Sequence, residues 1–219
     1  MIRCTLGDMV GYFVKGHVRG GAYFEGAYAV SGYKLTKEPP VPPDIESFGK
    51  SIPGDYDMRL VFRFLGITLE TEAVPAWLMG PMSIFLRWGG SWPWPGGGSM
   101  LKAVECGIFV MPFSSPVLAL EAFKLDGDII ALGTPSAHWI TSDLGSVLAA
   151  IDSRLLFEPI VCEVSARGSN YTVSASLGNV NLSLNFSASL MNMNMIEPGV
   201  GIAVYSAYAL IEEFEVVER

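Results

Sequence analysis

Three of the five tryptophans, Trp88, Trp92 and Trp94, lie in one glycine- and proline-rich stretch, residues 88–99. An exposed Trp offers a large flat apolar face and one N–H donor, which suits stacking on a sugar ring or insertion into a partner's pocket. These three residues are therefore the first candidates for ligand binding. The alternative is that Trp88 and Trp92 fold back and cover an open end of the fold.

Asp126 and Asp128 flank Gly127 and are candidate ligands for calcium, which prefers several oxygen atoms from flexible loops. The alternative interpretation of Asp-Gly-Asp is a hairpin turn without a metal. Calcium at these two residues is the one cofactor that the sequence indicates. Apart from calcium, we expect no cofactor.

Two pairs of glutamates occur at alternate positions, Glu70 with Glu72 and Glu213 with Glu215. Cleavage of a glycosidic bond needs two carboxyl groups about 5 Å apart, or further apart for inversion. Adjacent acids on an outer strand face are usually only hydrated. A glycoside hydrolase or lyase is therefore the third function considered, and the sequence favours a protein that is not an enzyme.

Histidine and cysteine give no catalytic or metal motif. His17 and His138 are far apart, and no nucleophile motif lies near either of them. The three cysteines are widely spaced and form no CxxC pair: Cys4, Cys106 and Cys162. We therefore expect them to act as small buried apolar side chains.

The composition limits the partners. Half of the 219 residues are hydrophobic, only 16% are charged, and the formal net charge is −8. A nucleic acid would be repelled, because the basic residues are scattered. The most apolar run, residues 106–120, is too short and too interrupted by proline to span a membrane, and no signal peptide is recognised. We expect synthesis in the cytoplasm, with a virion or surface assembly as a further destination.

Period-2 alternation is clearest in the last third of the chain. Residues 171–177 and 180–186 alternate apolar and polar side chains on either side of Gly178-Asn179, which predicts a hairpin with a tight turn. Many short strands separated by Gly and Pro turns predict two packed antiparallel sheets. Further strands are predicted within 9–15 and 22–35 and over 56–65, 82–88, 101–111, 117–125, 160–167, 199–207 and 208–217, and one short helix over 143–155.

The segments Pro198–Ala207 and Ala209–Val216 resemble the closing strands of concanavalin A-like jelly rolls of the laminin-G type, in which the last strands read G-x-[VI]-G-[ILF] and then A-x-[FL]-D-[ND]-[FV]-x-V. The resemblance covers about residues 158–217, and Glu212-Glu213 stands where relatives show an acid followed by an amide or acid. It implies a jelly-roll β-sandwich. In relatives these sandwiches bind glycans, form calcium-dependent surfaces, carry glycosidase or lyase sites, or serve as structural modules.

We therefore expect one all-β sandwich domain over residues 1–219, with a Pro-rich surface loop at 38–43 and the aromatic loop at 88–99. The leading hypothesis is a non-catalytic module that recognises a glycan or surface polysaccharide through Trp92 and Trp94. The alternative is a structural subunit, for example of a virion, that forms a homo-oligomer through residues 38–43 and 107–120. The absence of glutamine favours a thermophilic source.

Overall fold

The computed structural model describes residues 3–4, 9–12, 22–24, 27–31, 44–48, 52, 54–67, 82–89, 100–111, 115–128, 146–189, 199–204 and 207–219. Within these residues, fifteen β-strands form two antiparallel sheets. No helix in this part of the chain has the length and apolar character needed to cross a membrane.

Strands are numbered along the chain. Sheet A contains β1 (Arg3–Cys4), β3 (Ala22–Phe24), β4 (Ala27–Ser31), β6 (Tyr56–Ile67), β11 (Ile160–Arg167), β12 (Asn170–Leu177), β13 (Val180–Ser187) and β15 (Ala207–Glu218). The strand order is β13-β12-β11-β6-β15-β4-β3, and β1 also pairs with β15. The centre of the sheet therefore joins β6 to the C-terminal strand β15.

Sheet B contains β2 (Met9–Tyr12), β5 (Asp44–Phe48), β7 (Met82–Gly89), β8 (Met100–Met111), β9 (Val117–Asp128), β10 (Ser146–Ala150) and β14 (Gly199–Val204). The strand order is β10-β9-β8-β7-β14-β5-β2. Residues 107–111 and 117–120 thus belong to β8 and β9, which have a hydrogen-bonded neighbour on each side.

The facing surfaces of the two sheets form one apolar core. In β6 the predicted alternation is confirmed, since Met58, Leu60, Phe62 and Phe64 are buried and the residues between them are partly exposed. Sheet B contributes a matching set of inward-facing residues: Met82, Ile84, Leu86, Val104, Cys106, Ile108, Val110, Leu118, Leu120, Ala122, Val200 and Ile202. The predicted two-sheet sandwich is confirmed.

The β12–β13 hairpin has the predicted two-residue turn. Leu177 pairs with Val180, so Gly178 and Asn179 form the connection, and Gly178 has φ of 59°. This left-handed backbone is accessible to glycine because it has no Cβ. The turn between β11 and β12 uses Gly168 in the same way, with φ of 57°.

A β-bulge explains the acidic pair Glu212-Glu213 in β15. Ile211 lies opposite Phe62 and Glu213 opposite Val61, so Glu212 is the extra residue. Ile211 and Phe214 can then both face the core although they are three positions apart. Both glutamates are half-buried and bind arginines of β6.

The helix predicted over residues 143–155 is wrong. Ser146–Ala150 forms strand β10, which pairs with β9 along its whole length. Only Ser153–Leu155 forms a short 3-10 helix, capped by Asp152, whose carboxylate accepts from the Arg154 N–H. The apolar spacing in this short segment suits either structure, and the open edge of β9 supplies the hydrogen-bond partners that decide for a strand. The Pro-rich segment 38–43 lies outside the described residues.

Candidate functional site

Trp88 belongs to strand β7 and not to a loop. Its Cα lies opposite Ala103 of β8 and Gly199 of β14. This confirms the strand predicted over 82–88 and extends it to Gly89, so residues 88 and 89 do not belong to the predicted loop 88–99. The Gly-rich sequence that follows predicts a bend, but strand partners on both sides satisfy the backbone of Trp88. Trp92 and Trp94 lie outside the described residues, between the end of β7 and the start of β8.

Asp126 and Asp128 lie in strand β9, opposite Lys102 and Met100 of β8. The predicted hairpin turn at Asp126-Gly127-Asp128 is therefore wrong. Local Asp-Gly propensity favours a turn, but pairing with β8 satisfies the backbone N–H and C=O groups of these residues and outweighs that propensity.

The register brings the two predicted binding segments to the same end of sheet B. Gly89, Lys102 and Asp126 form one row across β7, β8 and β9. Because neighbouring strands are about 4.8 Å apart, the backbones of Gly89 and Asp126 are about 10 Å apart. We call this region the Trp88 end; it comprises residues 88–89, 100–102 and 126–128.

A group of contacts made by Arg87 with Ile52, Gly54 and Tyr56, which we call the Arg87 cluster, anchors β7 to sheet A just before the Trp88 end. A register shift between Phe85 and Arg87 directs Arg87 between the sheets, where its guanidinium donates to the carbonyls of Ile52 and Gly54. The guanidinium carbon lies 4.8 Å from the centre of the Tyr56 ring. The cluster therefore fixes the position of the strand that leads to Trp88.

Tyr56 completes this cluster. Its hydroxyl donates to the Leu86 carbonyl at 2.5 Å in a fully buried position. Burial raises the pKa of Tyr56 far above its usual range, so the phenol stays neutral and remains a donor.

The outer face of sheet A carries a polar groove of about 410 Å³. Arg59 binds Glu163 at 2.8 Å and Glu213 at 3.0 Å. Asp57 accepts from Arg167 and Arg219, each at 2.6 Å. Burial alone would raise the pKa of Asp57, but these hydrogen bonds hold it below its usual range. The charged walls of the groove therefore neutralise one another.

The glutamates considered for catalysis are not brought together as a free carboxylate pair on sheet A. Glu213 binds Arg59, and Glu215 binds Arg3 of β1. Glu70, Glu72, His17 and His138 lie outside the described residues. Within the described ranges no group of three or more His, Cys, Asp or Glu could hold a metal ion, and the calcium prediction at Asp126 and Asp128 stays a prediction.

Comparisons with solved structures match the whole architecture. The exoplasmic/lumenal domain of VIP36 in its Ca2+/Man-bound form superposes with a TM-score of 0.56 at 12% identity, over 97% of this chain and 82% of that one. Lectin I-B4 from Griffonia simplicifolia, in its metal-free form, gives a TM-score of 0.54 at 12% identity over 100% of both chains. The chain has the concanavalin A-like fold.

A functionally unknown protein from Saccharomyces cerevisiae has the same architecture, with a TM-score of 0.51 at 6% identity over 98% of both chains. No protein-family model and no curated protein sequence matches the chain. The likeness is therefore one of fold.

In this concanavalin A-like sandwich, two glutamates that the sequence analysis did not single out lie on the outer face of sheet B. Glu105 is fully buried and lies opposite Phe85 and Phe123, while Glu121 lies opposite Gly107. They are diagonal neighbours on adjacent strands, for which the usual separation is about 7–8 Å. Burial raises the pKa of Glu121. The sequence feature that could have identified these two glutamates is an acidic residue within an otherwise apolar strand.

The cysteine prediction is confirmed for two of the three residues. Cys106 and Cys162 are fully buried in the core of the concanavalin A-like sandwich and carry free thiols. Burial raises the pKa of both thiols. Cys4 lies in β1.

Proposed function

We propose that this chain is a carbohydrate-recognition module whose binding site lies at the Trp88 end of sheet B. The observation that carries the proposal is the register of β7, β8 and β9. The segment with Trp92 and Trp94 begins after Gly89, two strands from Asp126, and ends before Met100, which lies opposite Asp128. The ligand class is a glycan, free or within a surface polysaccharide.

The combination suits a sugar because a pyranose ring has two kinds of surface. Its C–H face stacks on an aromatic ring, and its hydroxyls need acceptors or a hard cation to replace water. Trp92 and Trp94 supply the first, and the carboxylates of Asp126 and Asp128 supply the second, directly or through calcium. Two structural neighbours support this class: one is named a lectin, and the VIP36 domain is in a Ca2+/Man-bound form.

The test of the aromatic residues is a glycan array, followed by calorimetric titration of the best ligand. We expect a variant carrying Trp92→Ala and Trp94→Ala to bind at least about tenfold more weakly, since each stacked ring contributes about 0.5–1.5 kcal/mol beyond its buried area. The matched control is Phe157→Ala. Phe157 is 55% exposed and lies just before Ile160, at the opposite end of β11 from the Arg87 cluster.

A wild-type protein that binds no glycan, with or without calcium, contradicts the function. Binding that survives the double Trp substitution contradicts the site but not the function.

The role of the aspartates is tested with Asp126→Asn and Asp128→Asn together, with and without EDTA. If calcium bridges the protein and the sugar, EDTA and the substitutions abolish binding equally. If the carboxylates contact the sugar directly, only the substitutions do. Asp152→Asn is the control, because Asp152 is an exposed carboxylate in the turn before β11 and Asn preserves its capping role. Full binding by the doubly substituted protein contradicts a role for these aspartates.

The structural-subunit hypothesis stays a prediction, but one of its proposed contacts changes. Residues 107–111 and 117–120 lie in interior strands of sheet B and have a strand neighbour on each side, so they offer no free edge to a second copy. Any association through a strand edge must use another element.

A further inference from the structure

Strand β13 ends sheet A on one side. It has one hydrogen-bonded neighbour among the described strands, β12, and pairs with it from Asn170↔Ser187 to Leu177↔Val180 without a register shift. An edge strand presents a row of unpaired backbone N–H and C=O groups, which can pair with another chain. A regular register keeps that row straight over the whole strand.

Within its own eight residues, β13 lacks the features that normally protect an edge. It has eight residues, Val180–Ser187, whereas the strand at the opposite end of sheet A, β3, has only three. It contains no proline, no lysine and no bulge. Short strands, charges, prolines and bulges are the usual means by which proteins prevent edge pairing.

The sequence of this edge strand and of its partner β12 carries no charge. No charged residue occurs between Arg167 and Glu197, although the chain has 22 acidic and 14 basic residues. The neighbouring edge of sheet B, β10, has the sequence SVLAA, and its Leu148 is 64% exposed. Two copies that each carry a net charge of −8 repel one another least where neither presents a charge.

We propose that β13 pairs antiparallel with β13 of a second copy of this chain, forming a symmetric dimer with one sheet continuous through both copies. A two-fold axis at Ser183 places Ser183 opposite its own copy and Asn181 opposite Asn185. This register keeps each strand's polar row outside and its apolar row inside.

The two rows of β13 fit this pairing. The outer row, Asn181, Ser183, Asn185 and Ser187, is at least partly exposed and consists of amides and hydroxyls. These groups already bond across β12 and β13, where the Thr172 hydroxyl and Asn185 Oδ1 are 2.7 Å apart. In the inner row Leu184 is buried, but Val180, Leu182 and Phe186 are only partly buried. A second copy would therefore extend both the polar ladder and the apolar layer.

The test is sedimentation equilibrium of the full chain at micromolar concentration, with wild type, Ser183→Lys and Ser174→Lys. Ser174 lies directly opposite Ser183 on β12, so both substitutions add the same charge to the same sheet face. In the Ser183→Lys dimer the two introduced lysines lie directly opposite each other on backbones about 5 Å apart, whereas in the Ser174→Lys dimer their backbones are three strand spacings, about 14 Å, apart. The longer distance exceeds the Debye length of about 8 Å at physiological salt.

We expect the wild type and Ser174→Lys to be dimers, and Ser183→Lys to raise the dimer dissociation constant at least about tenfold. Raising the salt concentration should tighten the wild-type dimer, since it screens the repulsion between two acidic copies. A wild type that is still monomeric at about 100 µM, or equal weakening by both lysine substitutions, overturns the proposal.

A second variant keeps the test decisive if Ser183→Lys disturbs folding. Residues directly opposite in an antiparallel pair have Cα atoms about 4.5–5.5 Å apart, within the range for a disulfide. Ser183→Cys should therefore give a covalent dimer on mild oxidation, and Ser174→Cys should not. A Ser183→Cys protein that is folded but stays monomeric under these conditions excludes the register.

Discussion

The turns at Gly178 and Gly168 provide a matched pair for a stability experiment. Both glycines have positive φ, 59° and 57°. A Cβ at Gly178 would lie 2.8 Å from Cδ1 of Leu155, whereas a Cβ at Gly168 would have nothing within 4 Å. Gly178→Ala therefore adds a collision that Gly168→Ala lacks.

The expected magnitudes follow from these two terms. A left-handed backbone costs a non-glycine residue about 1–2 kcal/mol. The lower entropy of the unfolded chain offsets about 0.4–1 kcal/mol of this cost. Gly168→Ala should therefore lower the free energy of unfolding by roughly 1 kcal/mol. In Gly178→Ala, Leu155 packs against the core and must leave its rotamer, which adds about 0.5–1.5 kcal/mol.

The assay is urea unfolding followed by tryptophan fluorescence, with a double-mutant cycle that includes Leu155→Ala. Removing the Leu155 side chain removes the collision, so in that background Gly178→Ala should cost no more than Gly168→Ala. Equal costs for the two alanines in the wild-type background would refute the reasoning. A Gly178→Ala cost that is unchanged by Leu155→Ala would show that Leu155 is not the source of the extra cost.

Three further predictions concern the described interior and the sheet A groove. The pKa of Asp57 is held below its ordinary value, so its ion pairs stabilise the fold above the ordinary pKa, and this stabilisation is lost as the pH falls through the lowered folded pKa. Asp57→Asn should therefore cost about 0.5–1 kcal/mol at pH 7, and its melting temperature should converge with that of the wild type once the pH is below the lowered pKa. Tyr56→Phe leaves the buried Leu86 carbonyl without its donor and should cost about 1–2 kcal/mol in urea unfolding. Cys106 and Cys162 should resist a thiol reagent until the protein unfolds, as mass spectrometry of labelled peptides can show; labelling of the native protein would contradict their burial.

Strands with one buried face were the most predictable part of the fold. In β6, and in β11 to β13, the period-2 alternation of the sequence matches the geometry of a half-buried strand. The turn glycines at 168 and 178 agree with the same register. Local sequence is enough in these segments because burial, propensity and turn chemistry all favour one structure.

In other segments the secondary structure depends on strand partners that are distant in sequence. Residues 146–150 suit a helix as well as a strand, and only the free edge of β9 selects the strand. Asp126–Asp128 has local turn propensity, but β8 is already present as its partner. The bulge at Glu212 likewise depends on where β6 places Phe62 and Val61. Local propensity could not predict these three features.

The sequence predicted the residues of the candidate site but not that they lie close together. Trp88 and Asp126 were chosen for separate reasons, one as an aromatic contact and the other as a calcium ligand. Their proximity results from the register of three strands, and a period-2 pattern does not contain this information because it records which side chains share a face and not which strands are neighbours. The sequence did not predict that Glu105 and Glu121 are neighbours on adjacent strands for the same reason.

The proposed ligand site and the proposed interface lie on different sheets, and this separation has a measurable consequence. A dimer joined at β13 would carry two Trp88 ends, so a surface coated with polysaccharide would bind with avidity while a short soluble oligosaccharide would bind each site independently. Ser183→Lys should therefore weaken binding to the coated surface by roughly a hundredfold and leave the dissociation constant for the soluble sugar unchanged. Equal losses in both assays would mean that residue 183 acts on the ligand site itself, and would contradict the assignment of recognition to sheet B and association to the edge of sheet A.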